Sequence, residues 1–182
     1  MLRTNAYEVA FESYLRHQGI GYISVDESRR PLLDSTPLKS LDYIVFGRAG
    51  SGLLVDVKGR RFPAGSPRRP RRAWESWCTE DDMAGLEAWG IRFGPGYLGL
   101  LVFTYCVAPE IPLLAQTTDL WQWRGDRYLF RAVRADEYRL RMRVRSPRWR
   151  TVDLPDHDFR DIVRPLSFFT GEPQTIPTEC PF

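Results

Sequence analysis

The apolar positions of this chain have helical spacing near its start and strand-like spacing further on. Tyr7, Phe11 and Leu15 recur every four residues, which predicts a helix over residues 5–17. The apolar run at 20–25 is short and rich in β-branched and aromatic side chains, which predicts a first strand. The chain is therefore expected to begin with a helix followed by a strand.

Two longer apolar runs follow, at 41–46 and 53–58, and the segment between them is rich in glycine. This pattern predicts a β-hairpin. Side chains alternate between the two faces of a strand, so Asp56 and Lys58 should share one face with Leu54. A register symmetric about the glycine segment places Asp42 opposite Asp56, with Cβ atoms about 4.5–5.5 Å apart.

The remaining elements follow from capping and turn signals. Thr79 and Asp82 have the spacing of a capping box, which predicts a helix over 80–89. Further strands are expected at 97–107, 120–123 and 127–130, and a short helix at 136–144, whereas the arginine- and proline-rich stretch 59–72 is expected to be a loop. We expect one domain over 1–169, with a core at about 5–107, an extension at about 108–169, and an irregular tail at 170–182.

Composition narrows the class of protein. A hydrophobic fraction of 43% is typical of a folded globular chain. The longest apolar run is too short to cross a bilayer, and the start of the chain does not resemble a signal peptide. Three widely spaced cysteines predict neither a disulfide framework nor a zinc motif. These features indicate a cytoplasmic protein without a membrane partner.

Basic residues are concentrated just after the hairpin. The net charge is only +3, yet the stretch 58–72 contains seven basic residues and no acidic one. Its arginines are Arg60, Arg61, Arg68, Arg69, Arg71 and Arg72. Such a block predicts contact with a polyanion, for which a nucleic acid is the candidate, on one face of the protein. The alternative is a solvated loop without a partner.

The predicted position of Asp42 opposite Asp56 also indicates a metal site. Two carboxylates at this separation repel each other unless a cation lies between them, and a hard divalent ion prefers oxygen ligands. Mg²⁺ is the expected ion, with Mn²⁺ as a substitute. Lys58 is notable because the chain has 26 basic residues, of which only Lys39 and Lys58 are lysines. The alternative is an ordinary hairpin with solvated polar side chains.

The element order, with Asp42 and the Asp56-Val57-Lys58 motif on the central hairpin, resembles the PD-(D/E)XK nuclease superfamily of restriction endonucleases and Holliday junction resolvases. The resemblance covers residues from about 5 to 107. Within the superfamily, the chain most resembles a small bacterial family that has a Phe-Glu pair in the first helix and a Val-Asp-Val-Lys-Gly strand. Leu41 stands where the superfamily pattern has proline. The resemblance implies an α/β fold with a restriction-endonuclease-like α-β-β-β-α-β core, a mixed central sheet flanked by helices, and a C-terminal β/α extension.

The resemblance also implies roles for single residues. Asp42 and Asp56 would bind Mg²⁺, and Lys58 would orient or deprotonate the attacking water and stabilise negative charge on the phosphate. A glutamate of the first helix is expected as a third metal ligand. Glu12 is the expected ligand, and Glu8 is the alternative. If Glu12 has no role in the site, it is expected to form an exposed ion pair with Arg16.

The predicted function is that of a Mg²⁺-dependent nuclease acting on nucleic acid, with DNA the favoured target. One alternative is a nucleic-acid-binding module of the same fold that does not cleave. Another is a small α/β protein in which Asp42 and Asp56 are structural. Assembly as a homodimer is left open.

Overall fold

The computed structural model describes residues 5–25, 39–47, 50–66, 68–113 and 117–171, together with the backbone of two short strands between 31 and 38. The predicted tail at 170–182 lies outside the described residues from 172 onward. The helices are α1 (Ala6–His17), α2 (Glu80–Phe93), α3 (Ala135–Arg141), α4 (Asp156–Ile162) and α5 (Ser167–Thr170).

The strands are short at the edges of the molecule and long at its centre. They are β1 (Tyr22–Ser24), β2 (Leu32–Leu33), β3 (Thr36–Pro37), β4 (Tyr43–Phe46), β5 (Gly52–Phe62), β6 (Ala64–Ser66), β7 (Arg69–Arg71), β8 (Cys78–Thr79), β9 (Tyr97–Val107), β10 (Leu120–Trp123), β11 (Asp126–Arg134), β12 (Arg143–Ser146), β13 (Thr151–Asp153) and β14 (Arg164–Pro165).

A mixed sheet forms the centre of the protein, with strand order β1-β4-β5-β9-β11-β10 and β14 paired to β11. The central strands β5 and β9 run parallel along their whole length, whereas the other pairs are antiparallel. Because parallel strands need a crossover, α2 lies between β5 and β9 in the chain. The predicted fold class, a mixed central sheet flanked by helices, is confirmed.

The two faces of the sheet have separate hydrophobic cores. On one face, Phe11 and Leu15 of α1 pack with Val55 and Val57 of β5. On the other face, Met83 and Leu86 of α2 pack with Leu54 of β5. Alternation along β5 therefore puts Asp56 and Lys58 on the face that α2 covers.

The first helix and its contact with the sheet follow directly from local sequence. The Asn5 side chain caps α1 by accepting a hydrogen bond from the Tyr7 N–H at 3.1 Å. The Tyr7 ring packs against β5 at Gly59, where a Cβ atom would lie 2.3 Å from a ring carbon. The glycine after Lys58 is thus required by the close approach of α1.

The capping box predicted for α2 is confirmed. The Thr79 hydroxyl accepts from the Asp82 N–H at 3.1 Å, and Asp82 Oδ2 accepts from the Thr79 N–H at 2.7 Å. The helix continues to Phe93, one turn beyond the predicted end, and Gly94 with φ of 80° follows it. Like the other described helices, α2 is too short to span a bilayer.

Two predicted boundaries are wrong. The stretch 59–72 is not a loop, because β5 continues to Phe62 beside β9 and the chain then forms the β6–β7 hairpin. The helix predicted at 136–144 ends at Arg141, since Met142 has extended backbone angles and leads into β12. At the first boundary, pairing of β5 with the distant β9 overrides the local signal, and at the second, pairing of β12 with the neighbouring β13 ends the helix.

The predicted C-terminal extension completes the structure rather than standing apart from it. Its strand β11 pairs with β9 in the central sheet, and β10 forms the edge beside β11. A second, three-stranded sheet has the order β12-β13-β8, so β13 holds the strand from which α2 starts.

Two glycines in α2 provide a matched stability test. A Cβ atom at Gly90 would meet nothing within 4 Å, whereas at Gly85 it would lie 3.2 Å from the Lys39 carbonyl oxygen. Alanine favours a helix interior over glycine by about 1 kcal/mol. Gly90→Ala should therefore raise the free energy of unfolding, measured by urea denaturation, by about 0.5–1 kcal/mol. Gly85→Ala should gain less or lose stability, and equal gains would contradict the close contact between α2 and Lys39.

Candidate active site

Two carboxylates lie side by side where the chain enters β4. The observed register is the predicted one from Phe46 opposite Gly52 to Tyr43 opposite Val55, and Asp42 lies just before its last pair. The Asp42 N–H donates to the Val55 carbonyl at 3.0 Å, and Asp42 Oδ2 accepts from the Val57 N–H at 2.5 Å. Asp42 and Asp56 are 7% and 5% exposed, so their carboxylates lie largely beneath the surface.

Lys58 is bound between two carboxylates on the α2 face of the sheet. Its Nζ donates to Asp56 Oδ1 at 2.6 Å and lies 3.1 Å from Asp82 Oδ2. The Lys58 side chain is 12% exposed. The structure thus brings together Asp42, Asp56 and Lys58, three of the four residues that the sequence proposes for catalysis.

Asp82 and Lys39 join this cluster, although the sequence pattern assigns neither a role in the site. The capping-box spacing accounts for Asp82 only as a helix cap, but its carboxylate also forms ion pairs with both Lys58 and Lys39. Burial lowers the pKa of Lys39, the Asp56 carboxylate opposes that shift, and the Lys58 ammonium adds to it. The available signal was the scarcity of lysine, because both lysines of the chain lie here.

Glu12 does not reach this cluster. It belongs to α1, which packs on the opposite face of the sheet from Asp56 and Lys58. Its carboxylate pairs with Arg16 and accepts a hydrogen bond from the Tyr22 hydroxyl at 2.8 Å. Glu12 therefore forms the ion pair with Arg16 that was the alternative to a role as metal ligand. Glu8, the other candidate, accepts from Asn5 Nδ2 at 2.6 Å on the same helix.

The donor set at the cluster is compatible with Mg²⁺. Among the described residues, no three His, Cys, Asp or Glu side chains are placed to hold a metal ion together. Mg²⁺ is commonly bound through one or two carboxylates, with water and substrate phosphates completing its shell. Asp42 and Asp56 fit that pattern, and Glu12 is not needed for it.

The predicted arginine block divides into buried and exposed members. Arg60 is 8% exposed, with its guanidinium 3.7 Å from the centre of the Trp77 ring. It donates to the Gly59 carbonyl at 2.7 Å and also to the Trp77 carbonyl. The prediction that Arg60 contacts nucleic acid is therefore corrected, because its guanidinium is bound to groups inside the protein. The exposed members are Arg61, Arg68, Arg69, Arg71 and Arg72.

The exposed arginines are also displaced from the carboxylates. Because β5 extends four residues beyond Lys58, the β6–β7 hairpin begins about 13 Å further along the strand. The hairpin arginines therefore lie well away from Lys58 along the sheet.

The neighbours Arg60 and Arg61 form a matched pair of substitutions. Arg60→Ala removes the contact with Trp77 and two hydrogen bonds to partly buried carbonyls, and should lower the free energy of unfolding by about 2–4 kcal/mol. Arg61→Ala, at an exposed position, should leave that free energy close to the parent value. Urea denaturation measures both. Equal stability of the two variants would show that Arg60 is not a structural residue.

No protein-family model and no curated protein matches this chain. Among solved structures, it is similar to Hjc, a Holliday junction resolvase from the archaeal hyperthermophile Archaeoglobus fulgidus. The TM-score is 0.50 at 10% sequence identity, over 89% of this chain and 90% of Hjc. Likeness at this identity concerns the fold alone. In fold, then, the chain is restriction-endonuclease-like, as its helix, hairpin and Asp-x-Lys pattern predict.

Proposed function

We propose that this protein is a divalent-metal-dependent nuclease that hydrolyses phosphodiester bonds in DNA. The observation that supports it best is the pair of buried carboxylates, Asp42 and Asp56, with the Lys58 ammonium 2.6 Å from one of them. A protein that only binds nucleic acid has no use for adjacent carboxylates, since they repel phosphate. The shared fold with a Holliday junction resolvase is consistent with this proposal.

Each residue of the cluster has a distinct role in the proposed reaction. Asp42 and Asp56 would hold the metal ion, and the Val57 N–H orients the Asp42 carboxylate. When bound, a divalent ion polarises the scissile phosphate and makes water a better nucleophile. Lys58 presents a positive charge and hydrogen-bond donors to the phosphate oxygens on which negative charge develops.

The exposed arginines of the β6–β7 hairpin would supply binding rather than chemistry. Arg68, Arg69 and Arg71 lie on or between β6 and β7, and each is exposed. Their contacts would be with backbone phosphates, which confer affinity without sequence preference.

A homodimer, which the sequence leaves open, stays a prediction that analytical ultracentrifugation can check.

Replacing Asp56 tests the catalytic proposal. Asp56→Asn removes one ligand charge with little change of shape, so it should reduce Mg²⁺-dependent DNA cleavage by more than about 100-fold, beyond the effect of outer-sphere partners. Asp126→Asn is the control, because Asp126 is an exposed strand carboxylate outside the cluster. Cleavage of a labelled DNA duplex and of a four-way junction, with Mg²⁺ or Mn²⁺, is the measurement, and circular dichroism checks the fold.

The outcomes separate the candidate functions. Cleavage by Asp56→Asn at the parent rate would exclude Asp56 as a catalytic ligand. If the parent binds DNA but cleaves no nucleic acid with either ion, the protein is a binding module with a nuclease fold.

The arginine hairpin makes a second prediction, about salt dependence. Replacing four arginines with alanine should flatten the plot of log affinity against log salt by up to about 3.6, at about 0.9 for each lost phosphate contact. These are Arg68, Arg69, Arg71 and Arg72. Fluorescence anisotropy with a DNA duplex measures the slope.

A control with the same loss of net charge distinguishes contact from general attraction. It replaces four exposed arginines elsewhere, namely Arg92, Arg139, Arg160 and Arg164. The control should retain the parent slope. Equal slopes for the two quadruple variants would show that the hairpin arginines have no specific contact with DNA.

A further inference from the structure

Both lysines of the chain meet at one buried carboxylate. Asp82 is 3% exposed, and its two oxygens face different partners. Oδ2 lies 3.1 Å from Lys58 Nζ, and Oδ1 forms the ion pair with Lys39. The remaining basic residues are all arginine, so the two ammonium groups of the chain are both located here.

The start of α2 fixes the position of this carboxylate. Asp82 Oδ2 accepts a hydrogen bond from the Thr79 N–H at 2.7 Å, in the capping box. Thr79 is itself held, because it pairs with Thr151 of β13. The backbone therefore orients this carboxylate independently of the two lysines.

Lys39 is held against the same helix by its backbone. The Trp89 indole N–H donates to the Lys39 carbonyl at 2.9 Å. The missing side chain of Gly85 leaves room for the Lys39 backbone, which would lie 3.2 Å from a Cβ atom there. Lys39 thus has a defined place beside α2, rather than the freedom of an ordinary surface lysine.

The two lysines differ in depth. Lys58 is 12% exposed and contacts Asp56 directly, whereas the Lys39 side chain is 42% exposed. The charges of Asp56 and Asp42 both act on Lys39, so it lies at the same carboxylate pair. Lys58 is accordingly the inner cation of the cluster, and Lys39 is the outer one, open to solvent.

We propose that Asp82 is a positioning residue that holds Lys58 and Lys39 at the Asp42–Asp56 pair, and that Lys39 binds a phosphate group of the substrate. This inference rests on the proposed nuclease function and adds two residues to its site. A carboxylate serving only as a helix cap needs the hydrogen bond from Thr79 and no cation. Asp81, the neighbour of Asp82 in the first turn, differs from it, since Asp81 is exposed and pairs with Arg150 at the surface, away from both lysines.

Enzyme kinetics test the assignment. Asp82→Asn keeps an oxygen that can accept from the Thr79 N–H but loses the charge that holds the lysines. It should lower kcat by about 10–100-fold, the range of outer-sphere partners, and raise KM by no more than the loss of Lys39 does. Asp81→Asn removes an equal charge from the same turn and should leave kcat unchanged. Equal kcat values for the two variants would overturn the positioning role.

Lys39 should affect binding more than turnover. Lys39→Ala should raise KM by about tenfold, the loss of one charge-assisted contact of about 1.4 kcal/mol, with a smaller change in kcat. Lys39→Arg retains the charge and should recover most of the lost affinity. An unchanged KM in Lys39→Ala would exclude the phosphate contact.

An independent readout does not require cleavage. With ¹³C-labelled lysine and a tag that lacks lysine, the NMR spectrum should contain Hε–Cε signals from two residues, and Lys39→Arg assigns them. Both signals should move toward the position of a solvated lysine in Asp82→Asn and stay in place in Asp81→Asn. Unmoved signals in Asp82→Asn would overturn the positioning role even if the protein cleaves DNA.

The same spectra separate this inference from the proposed function. If the parent cleaves no nucleic acid, the nuclease proposal fails, yet the lysine signals still decide whether Asp82 positions the two cations. Addition of a DNA duplex should shift the Lys39 signal. A Lys39 signal that DNA does not shift would overturn the phosphate contact.

Discussion

The structure around β5 depends on keeping buried charge paired. Asp42, Asp56 and Asp82 are each less than 8% exposed. Removing a carboxylate from water costs several kcal/mol even after relaxation, unless hydrogen bonds and opposite charges replace the lost hydration. Here the Val57 and Thr79 N–H groups and the ammonium groups of Lys58 and Lys39 supply that replacement.

The fold brings these charges together through the length of one helix. The segment from Gly52 to Lys58 spans about 20 Å at the rise of a β-strand. The 14 residues of α2 span about 21 Å, so the helix returns the chain from the level of Lys58 to the level where β9 begins beside Gly52. The N-terminus of α2, and Asp82 with it, therefore lies near Lys58. The contact between Asp82 and Lys58 therefore follows from the parallel β5–β9 pair and the length of the helix that connects the two strands.

The likeness to Hjc at 10% identity illustrates what such a fold requires of its sequence. The α1 stripe, the alternation along β4 and β5, and the capping box of α2 are patterns that many residue combinations satisfy. The proposed activity depends instead on particular side chains, among them Asp56 and Lys58, which the fold by itself does not supply.

The sequence alone determined the features that depend on local periodicity. The helical stripe of α1, the register of the β4–β5 hairpin and the capping box of α2 all follow from spacing within one element or one hairpin. Alternation also places Lys58 on the same face of β5 as Asp56.

Only the tertiary structure decided which elements share a face. Glu12 lies on the opposite side of the sheet from Asp56, because α1 and α2 cover different faces. Arg60 is buried because β5 continues beside β9, and Trp77 packs over its guanidinium. Asp82 meets Lys39 across 43 residues of chain. Local periodicity fixes where a side chain points from its own helix or strand, whereas the partner it meets is decided by packing between elements distant in sequence.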